Sequence, residues 1–249
     1  MRDLAGGEID AVILSGAFGS LFEESFEAAL LGELASTPPA TVFRWGAKHL
    51  AVFRGFLHSF ETHDPNEITR PIRYACEAGA KIIVTIAAAS GLHRAYLPGD
   101  VVLVRDHLDF SGQRLMLDME HRRSQSFTTI RYAPRLQERL FAASRNAGLR
   151  LLEGVIGVVA GPQFESRAEA HHLAKSGAHL VTMAPIPLLV AEASYYPVEV
   201  VALALVTNTY SAAVEAFSHE SFLLAGTRMR HVLGHFLQVI IDAAGDPRS

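Results

Sequence analysis

The sequence predicts an α/β fold in one domain, residues 1–249, with a mixed, largely parallel, twisted β-sheet flanked by helices. Three observations predict it. Short β-branched runs alternate with amphipathic segments along the chain, the pattern of strands covered by helices. Apolar residues make up 49% of the composition, at the apolar end of the globular range, as strands buried on both faces require. Nothing in the 249 residues reads as a linker, and the length suits one large domain.

In chain order, strands are expected at Ala11 to Leu14, Leu50 to Phe53, Lys81 to Ile86, Asp100 to Val104, Leu151 to Val159, His179 to Met183 and Val198 to Val206. Each is a short apolar or β-branched run bounded by polar or turn-forming residues. Helical periodicity falls between them, at Ile68 to Ala78, Pro134 to Ala147, Ser166 to Ser176 and Pro187 to Ala193, and a longer helix, Ser218 to Ala244, closes the chain. The stretch Asp106 to Thr129 shows neither period and carries several charges, so it reads as a long loop. In open sheets of this kind, ligands gather at the loops beyond the carboxyl ends of strands.

Composition excludes several classes of partner. The net charge of −4 leaves no basic footprint for nucleic acid. The single cysteine, Cys76, cannot form an internal disulfide, and no Cys/His set signals zinc. A reducing cytoplasm is the expected compartment, with no metal and no cofactor. The start MRDLAGGEID lacks a signal-peptide core, and no stretch approaches the ~20 apolar residues that span a bilayer.

Three loops carry candidate chemistry. The first strand runs into Ser15-Gly16-Ala17-Phe18-Gly19-Ser20, a strand-to-helix turn that is either an anion cradle of backbone N–H groups or a plain tight turn. In RGFLHSFE, His58 and Glu61 stand three apart beyond a strand end, suited to anion binding or proton relay but equally compatible with a structural histidine. In AGPQFES, an aromatic Phe164 precedes the carboxylate Glu165. Together they offer a purine a stacking face and an acceptor, while Glu165 alone also suits the first turn of the following helix.

Taken together, these segments resemble the trimeric purine nucleoside phosphorylase family, which includes the methylthioadenosine phosphorylases. The resemblance runs in order through the glycine turn, RGFLHSFE, IVTIAAASGL with Pro98-Gly99-Asp100, VLVRDHLDFSGQ, the stretch GVVAGPQFESRAEAHHLAKSGAHLVTMAPIP, the strand end Val-Thr-Asn at 206–208, and Ser218-His219-Glu220. It implies a base pocket of Phe164, Glu165 and Asn208, and a sugar site of Met183, His219, Tyr132 and Ala88. His58, with Glu61, would border phosphate and sugar, and Phe60 stands where the family has a tyrosine. Glu165, Asn208 and His58 are the catalytic candidates. The implied reaction is cleavage of the C1′–N9 bond of a purine nucleoside by a homotrimer, without a cofactor.

The implied phosphate site is depleted. Against the family pattern Gly16 and Ala184 replace serines, Phe56 replaces an arginine and Ala87 an asparagine. Each charge-assisted hydrogen bond contributes about 1.5 to 3 kcal/mol, so three or four losses amount to several orders of magnitude in phosphate affinity. Arg54, two residues from Phe56 and so on one face of a continuing strand, could substitute, as could the hydroxyls of Ser15, Ser20 or Ser90. Three functions follow: a pentosyltransferase, a phosphate-independent nucleosidase or biosynthetic glycosyl-transferring variant, and a non-catalytic nucleoside-binding homologue.

Overall fold

The computed structural model describes residues 1–16, 29–36, 38–113, 132–210 and 232–243. A short helix α1 (Arg2–Ala5) leads into β1 (Ala11–Ser15), followed by β2 (Ala29–Leu34), β3 (Ala40–Trp45), β4 (Lys48–Arg54), α2 (Pro65–Glu77), β5 (Ile82–Gly91) and β6 (Val101–Asp109). Then come α3 (Pro134–Ala147), β7 (Leu151–Val158), α4 (Arg167–Lys175), β8 (Leu180–Thr182), α5 (Ile186–Ala193) and β9 (Glu199–Thr209). Residues 232–243 form α6.

One sheet runs in the order β2-β3-β4-β1-β5-β8-β7-β6-β9, and β9 also pairs with β5. The second pairing changes the expected open sheet. Strands β5, β8, β7, β6 and β9 close into a ring, from which β1, β4, β3 and β2 extend as a wing. Pairing is parallel at β1–β4, β1–β5, β5–β9, β6–β7 and β7–β8. It is antiparallel at β2–β3, β3–β4, β5–β8 and β6–β9. The long β5 can serve two partners because its end turns toward β8, where Ser90 and Gly91 face Val181 and Leu180, while a register shift between Ala89 and Ser90 marks the bend against β9.

The continuous apolar runs arise because both faces are covered. Along β1, Val12 and Leu14 join the core packed beneath α2 and α5, whereas Ala11 and Ile13 join the core beneath α3 and α6. The first helical layer is pinned by Arg73, whose Nη1 lies 3.5 Å from the buried Glu192 carboxylate. The second is tied to the wing by Lys48, whose Nζ donates to the Ile241 carbonyl at 2.6 Å and so satisfies an end-of-helix acceptor. A third cluster of Leu92, Ala170, Leu173, Ala178 and Val181 seats α4 against the strand ends that carry the site.

The seven expected strands and the helices at 134–147, 166–176 and 187–193 are all found, with β5 and β6 running on past their expected ends at Ile86 and Val104 to Gly91 and Asp109. Helix α2 starts earlier than its apolar period because the Asp64 side chain caps it by accepting from Asn66 N–H at 2.9 Å, with Pro65 in the first turn. The expected loop at 106–129 begins late, since Asp106 to Asp109 extend β6 alongside β7. Of the helix expected at 218–244, residues 232–243 are helical, and the remainder lies outside the described residues. Strands β2 and β3 lacked an expectation and form a hairpin against β4. Among the described residues no helix is long and apolar enough to cross a membrane.

Two histidines are expected to make the fold acid-sensitive. His107 Nδ1 lies 2.7 Å from the Tyr132 hydroxyl, whose O–H donates to it when the neutral ring carries its proton on Nε2, while His179 Nδ1 accepts from Val155 N–H at 3.1 Å. Burial pushes His107 below the ordinary histidine range, against the opposing pull of Asp106 and Asp109. Burial and then neighbouring His93 push His179 the same way, against Glu153. A group that binds its proton less readily folded than unfolded gives stability that is present above about pH 6.5 and lost as pH falls through its lowered value. The urea midpoint is therefore expected to fall between about pH 7 and pH 5.5, before most carboxylates titrate. An unchanged midpoint over that interval would contradict the assignment.

Candidate active site

The strand ends converge on one cleft of about 180 Å³. Gly16 follows β1, Phe56 and His58 follow β4, Ala88 to Ser90 lie near the end of β5, Phe164 and Glu165 follow β7, Thr182 to Ala184 end or follow β8, and Thr207 lies near the end of β9. Every element thus contributes from its carboxyl end, where side chains escape the ladder and a mixed sheet leaves room for a ligand. A wider hollow of about 560 Å³ shares Phe164 and Glu165 and continues past Gln163 and His172 to Phe110.

One wall is polar. Glu165 stands just outside α4, because the helix is capped by Ser166, whose hydroxyl accepts from Glu169 N–H while Glu169 receives Ser166 N–H. Glu169, not Glu165, therefore serves the helix terminus, and the first-turn role open to Glu165 from sequence is already filled. Glu165 instead accepts the Tyr210 hydroxyl on Oε2 at 2.6 Å. Asn208 lies behind the wall. Its Oδ1 is met by Ser90 Oγ at 2.8 Å and Thr207 Oγ1 at 3.0 Å, both from cleft-lining residues, which leaves the amide Nδ2 as the donor.

A second wall carries a histidine dyad. His58 Nδ1 lies 2.7 Å from Glu61 Oε2, and the His58 backbone N–H donates to the same oxygen at 2.7 Å. Burial pushes the Glu61 carboxyl up, but the His58 backbone and ring bonds and the His58 charge outweigh it and hold the acid below its usual range. In the neutral ring, with Nδ1–H on Glu61, Nε2 carries the lone pair. Phe60 stacks on the His58 ring at 4.9 Å between centroids and 17° between planes, fixing the orientation of the dyad.

The third wall is apolar where the depleted anion site was expected. A Cβ added to Gly16 would lie 2.9 Å from Phe56 Cε2 and 3.3 Å from Cδ2, so the phenyl ring rests on the turn that a serine would occupy. Ala184 is buried in the same wall. Arg54 does not substitute: its Nη2 is held by Glu33 Oε1 and Thr41 Oγ1, each at 2.7 Å, and it is not among the cleft-lining residues. The expected shared face with Phe56 fails because β4 ends at Arg54 and Gly55 takes a positive φ of 120°, which breaks the alternation. Ser15 is fully buried away from the cleft lining, and the Ser90 hydroxyl is engaged by Asn208. Ser20 lies outside the described residues.

Of the residues expected in the site, His58, Phe164, Glu165, Met183, Ala88, Gly16, Phe56 and Ala184 line the cleft, and Asn208 joins through its two hydroxyl partners. Tyr132 is not in the lining; its hydroxyl is committed to His107 between β6 and α3. His219 lies outside the described residues. Sequence reasoning missed Tyr210 and Thr207. The strand period could have found Tyr210, two residues beyond Asn208 and so on the same side of the chain.

The model of the phosphorylase superfamily matches residues 41–241. The chain is 34% identical over 211 residues to the purine nucleoside phosphorylase of Mycobacterium tuberculosis, covering 84% of this chain and 73% of that one. To the purine nucleoside phosphorylase of Mus musculus it is 26% identical over an alignment 255 positions long, covering 94% of this chain and 88% of that one. Among solved structures, isoform 2 of purine nucleoside phosphorylase from Schistosoma mansoni, in complex with cytosine and ribose-1-phosphate, superposes with a TM-score of 0.83 at 22% identity, covering 97% of this chain and 93% of that chain. Schistosoma mansoni purine nucleoside phosphorylase in complex with adenosine gives a TM-score of 0.80 at 21% identity, covering 98% and 95%. At that level of identity the likeness is one of fold.

Proposed function

The chain belongs to the phosphorylase superfamily, and on that premise we propose that residues 1–249 act as one domain of a purine nucleoside phosphorylase-like pentosyltransferase that cleaves C1′–N9 of a purine nucleoside. The observation that carries this reading is the polar wall: Glu165 and Phe164 in the cleft, with Asn208 oriented behind it by Ser90 and Thr207. As the bond breaks the sugar gains oxocarbenium character and the purine leaves with the electron pair. Glu165 accepts from a ring N–H and Asn208 Nδ2 donates to the purine edge, and both bonds strengthen as charge reaches the base. Phe164 offers the stacking face, and Met183 and Ala88 lie under the sugar, with His219 taken from the family pattern for its far end.

Phosphate is a poor co-substrate in this reading, because Phe56 lies on the Gly16 turn and among the described lining residues none is Lys or Arg. The His58–Glu61 dyad favours a second reading, in which water is the nucleophile. Water attacks C1′ as C1′–N9 breaks, its proton passes to His58 Nε2 and on to solvent, the departing purine anion takes a proton from solvent, and free pentose and purine result. Incubation with inosine, guanosine and adenosine, with and without phosphate, tests both. Release of purine from at least one nucleoside is expected, with little dependence on phosphate. The absence of both cleavage and binding for all three nucleosides would overturn the assignment.

A homotrimer, as in the family resemblance, and a cytoplasmic location complete the proposal. Sedimentation should give about three times the 27.0 kDa chain mass. A monomer at micromolar concentration that binds ligand fully would exclude the trimer.

A further inference from the structure

The base-facing carboxylate is not alone at the end of β9. Strand β9 pairs with β5 as far as Thr209 opposite Gly91, and the Tyr210 N–H continues the ladder by donating to the Gly91 carbonyl at 2.9 Å. The backbone of Tyr210 is therefore held by the sheet, and its ring packs against the cluster of Leu92 and Val181. From that fixed base the hydroxyl reaches across 45 residues of sequence to Glu165 Oε2 at 2.6 Å, the length of a charge-assisted O–H···O⁻ bond. Burial, and then the Glu165 bond, push the phenol well above the ordinary tyrosine range, so Tyr210 stays a donor throughout the working range of pH.

We propose that Tyr210 is a positioning and specificity residue: it takes one oxygen of Glu165 and makes the site favour a purine with one ring N–H at that edge, hypoxanthine, over one with two adjacent donors, guanine. The inference rests on the base-binding role of Glu165. A carboxylate receives two parallel N–H donors best when each oxygen accepts one. With Oε2 engaged, Oε1 serves the single N–H of hypoxanthine fully, whereas the 2-amino group of guanine must share an oxygen already in a short bond. The phenol also fixes the carboxylate rotamer, so Oε1 is aimed before the base arrives.

The test is calorimetric binding of hypoxanthine and guanine to the unmodified protein and to Tyr210→Phe, which keeps the ring and its packing. The unmodified protein is expected to bind hypoxanthine about tenfold more tightly than guanine. Tyr210→Phe should shift that ratio about 5- to 10-fold toward guanine, the worth of one hydrogen bond. A preference for guanine in the unmodified protein overturns the proposal without any variant. So does a ratio unmoved by Tyr210→Phe, and so does a variant that loses guanine more than hypoxanthine, which would mean that the phenol oxygen itself serves the 2-amino group. Glu165→Gln separates the two levels of the argument. If it weakens both bases while the ratio stays insensitive to Tyr210, only the tyrosine proposal falls; if neither base binds the unmodified protein, the base-binding reading falls with it.

Discussion

Glu165→Gln and Asn208→Ala are each expected to weaken purine-base binding by about 1 to 3 kcal/mol, the cost of stripping a hydrogen-bond partner from a ring edge, and to lower cleavage by at least as large a factor. The expectation follows from where the polar groups point. In Glu165→Gln the amide that replaces the carboxylate carries one acceptor oxygen instead of two, and the Tyr210 hydroxyl competes for it across a 2.6 Å contact. In Asn208→Ala the hydroxyls of Ser90 and Thr207 lose their shared acceptor, and the cleft loses the donor they aim. Neither side chain caps a helix: Ser166 and Glu169 hold the start of α4 without Glu165, so the fold should survive both changes. Calorimetry with hypoxanthine, guanine and adenine decides it. Parent-like affinity in both variants would remove Glu165 and Asn208 from the base site. Because transition-state bonds to a departing anion are stronger than those to a neutral base, the loss in kcat/KM should exceed the loss in base affinity.

The parts of the fold legible in the sequence are those where a local signal and the tertiary environment agree. Strand β1 is apolar on both sides because two cores meet there, and α3 begins and ends at its Pro134 and Gly148 signals. Closure of the ring was not legible, since it depends on β9 serving both β5 and β6, a pairing between distant segments that no local period encodes. The hairpin of β2 and β3 splits in two. The alternating, β-rich Ala40 to Trp45 was readable, but Ala29 to Leu34 carries helix-favouring Leu and Glu residues and a register shift at Gly32, and becomes a strand only because β3 lies beside it.

The site follows the same division. Glu165, Phe164, His58 and Met183 sit in motifs that sequence can identify, and His58 is oriented within its own motif by Glu61 and Phe60, whereas the neighbours that orient Glu165 and Asn208 come from elsewhere in the chain. Ser90 reaches Asn208 across 118 residues, and Tyr210 reaches Glu165 across 45. The depletion of the anion site was readable one residue at a time. Its physical meaning was not, because only the folded chain shows that Phe56 occupies the space above Gly16 and that Arg54 is taken by Glu33 and Thr41.

That packing makes recovery of phosphate dependence conditional. Gly16→Ser alone is expected to gain nothing, because its new Cβ would stand 2.9 Å from the Phe56 ring, closer than real carbon contacts allow, and either the ring or the turn must move. Phe56→Arg alone places a cation on the wall but leaves the turn and Ala184 without hydroxyl donors. The combined variant Gly16→Ser, Phe56→Arg, Ala184→Ser removes the ring that blocks the serine and supplies a planar fork with two hydroxyls. At about 1.5 to 3 kcal/mol for each charge-assisted bond, the combination should tighten phosphate by roughly three or more orders of magnitude, far more than the sum of the single changes. The measurement is nucleoside turnover against phosphate concentration. The unmodified protein should show no saturation in the low-millimolar range, about the upper end of common KM values, and the combined variant should saturate there. Saturation of the unmodified protein at or below that range would overturn the argument. The cation would then have to come from somewhere other than Arg54, whose guanidinium would have to abandon both Glu33 and Thr41 to reach the cleft.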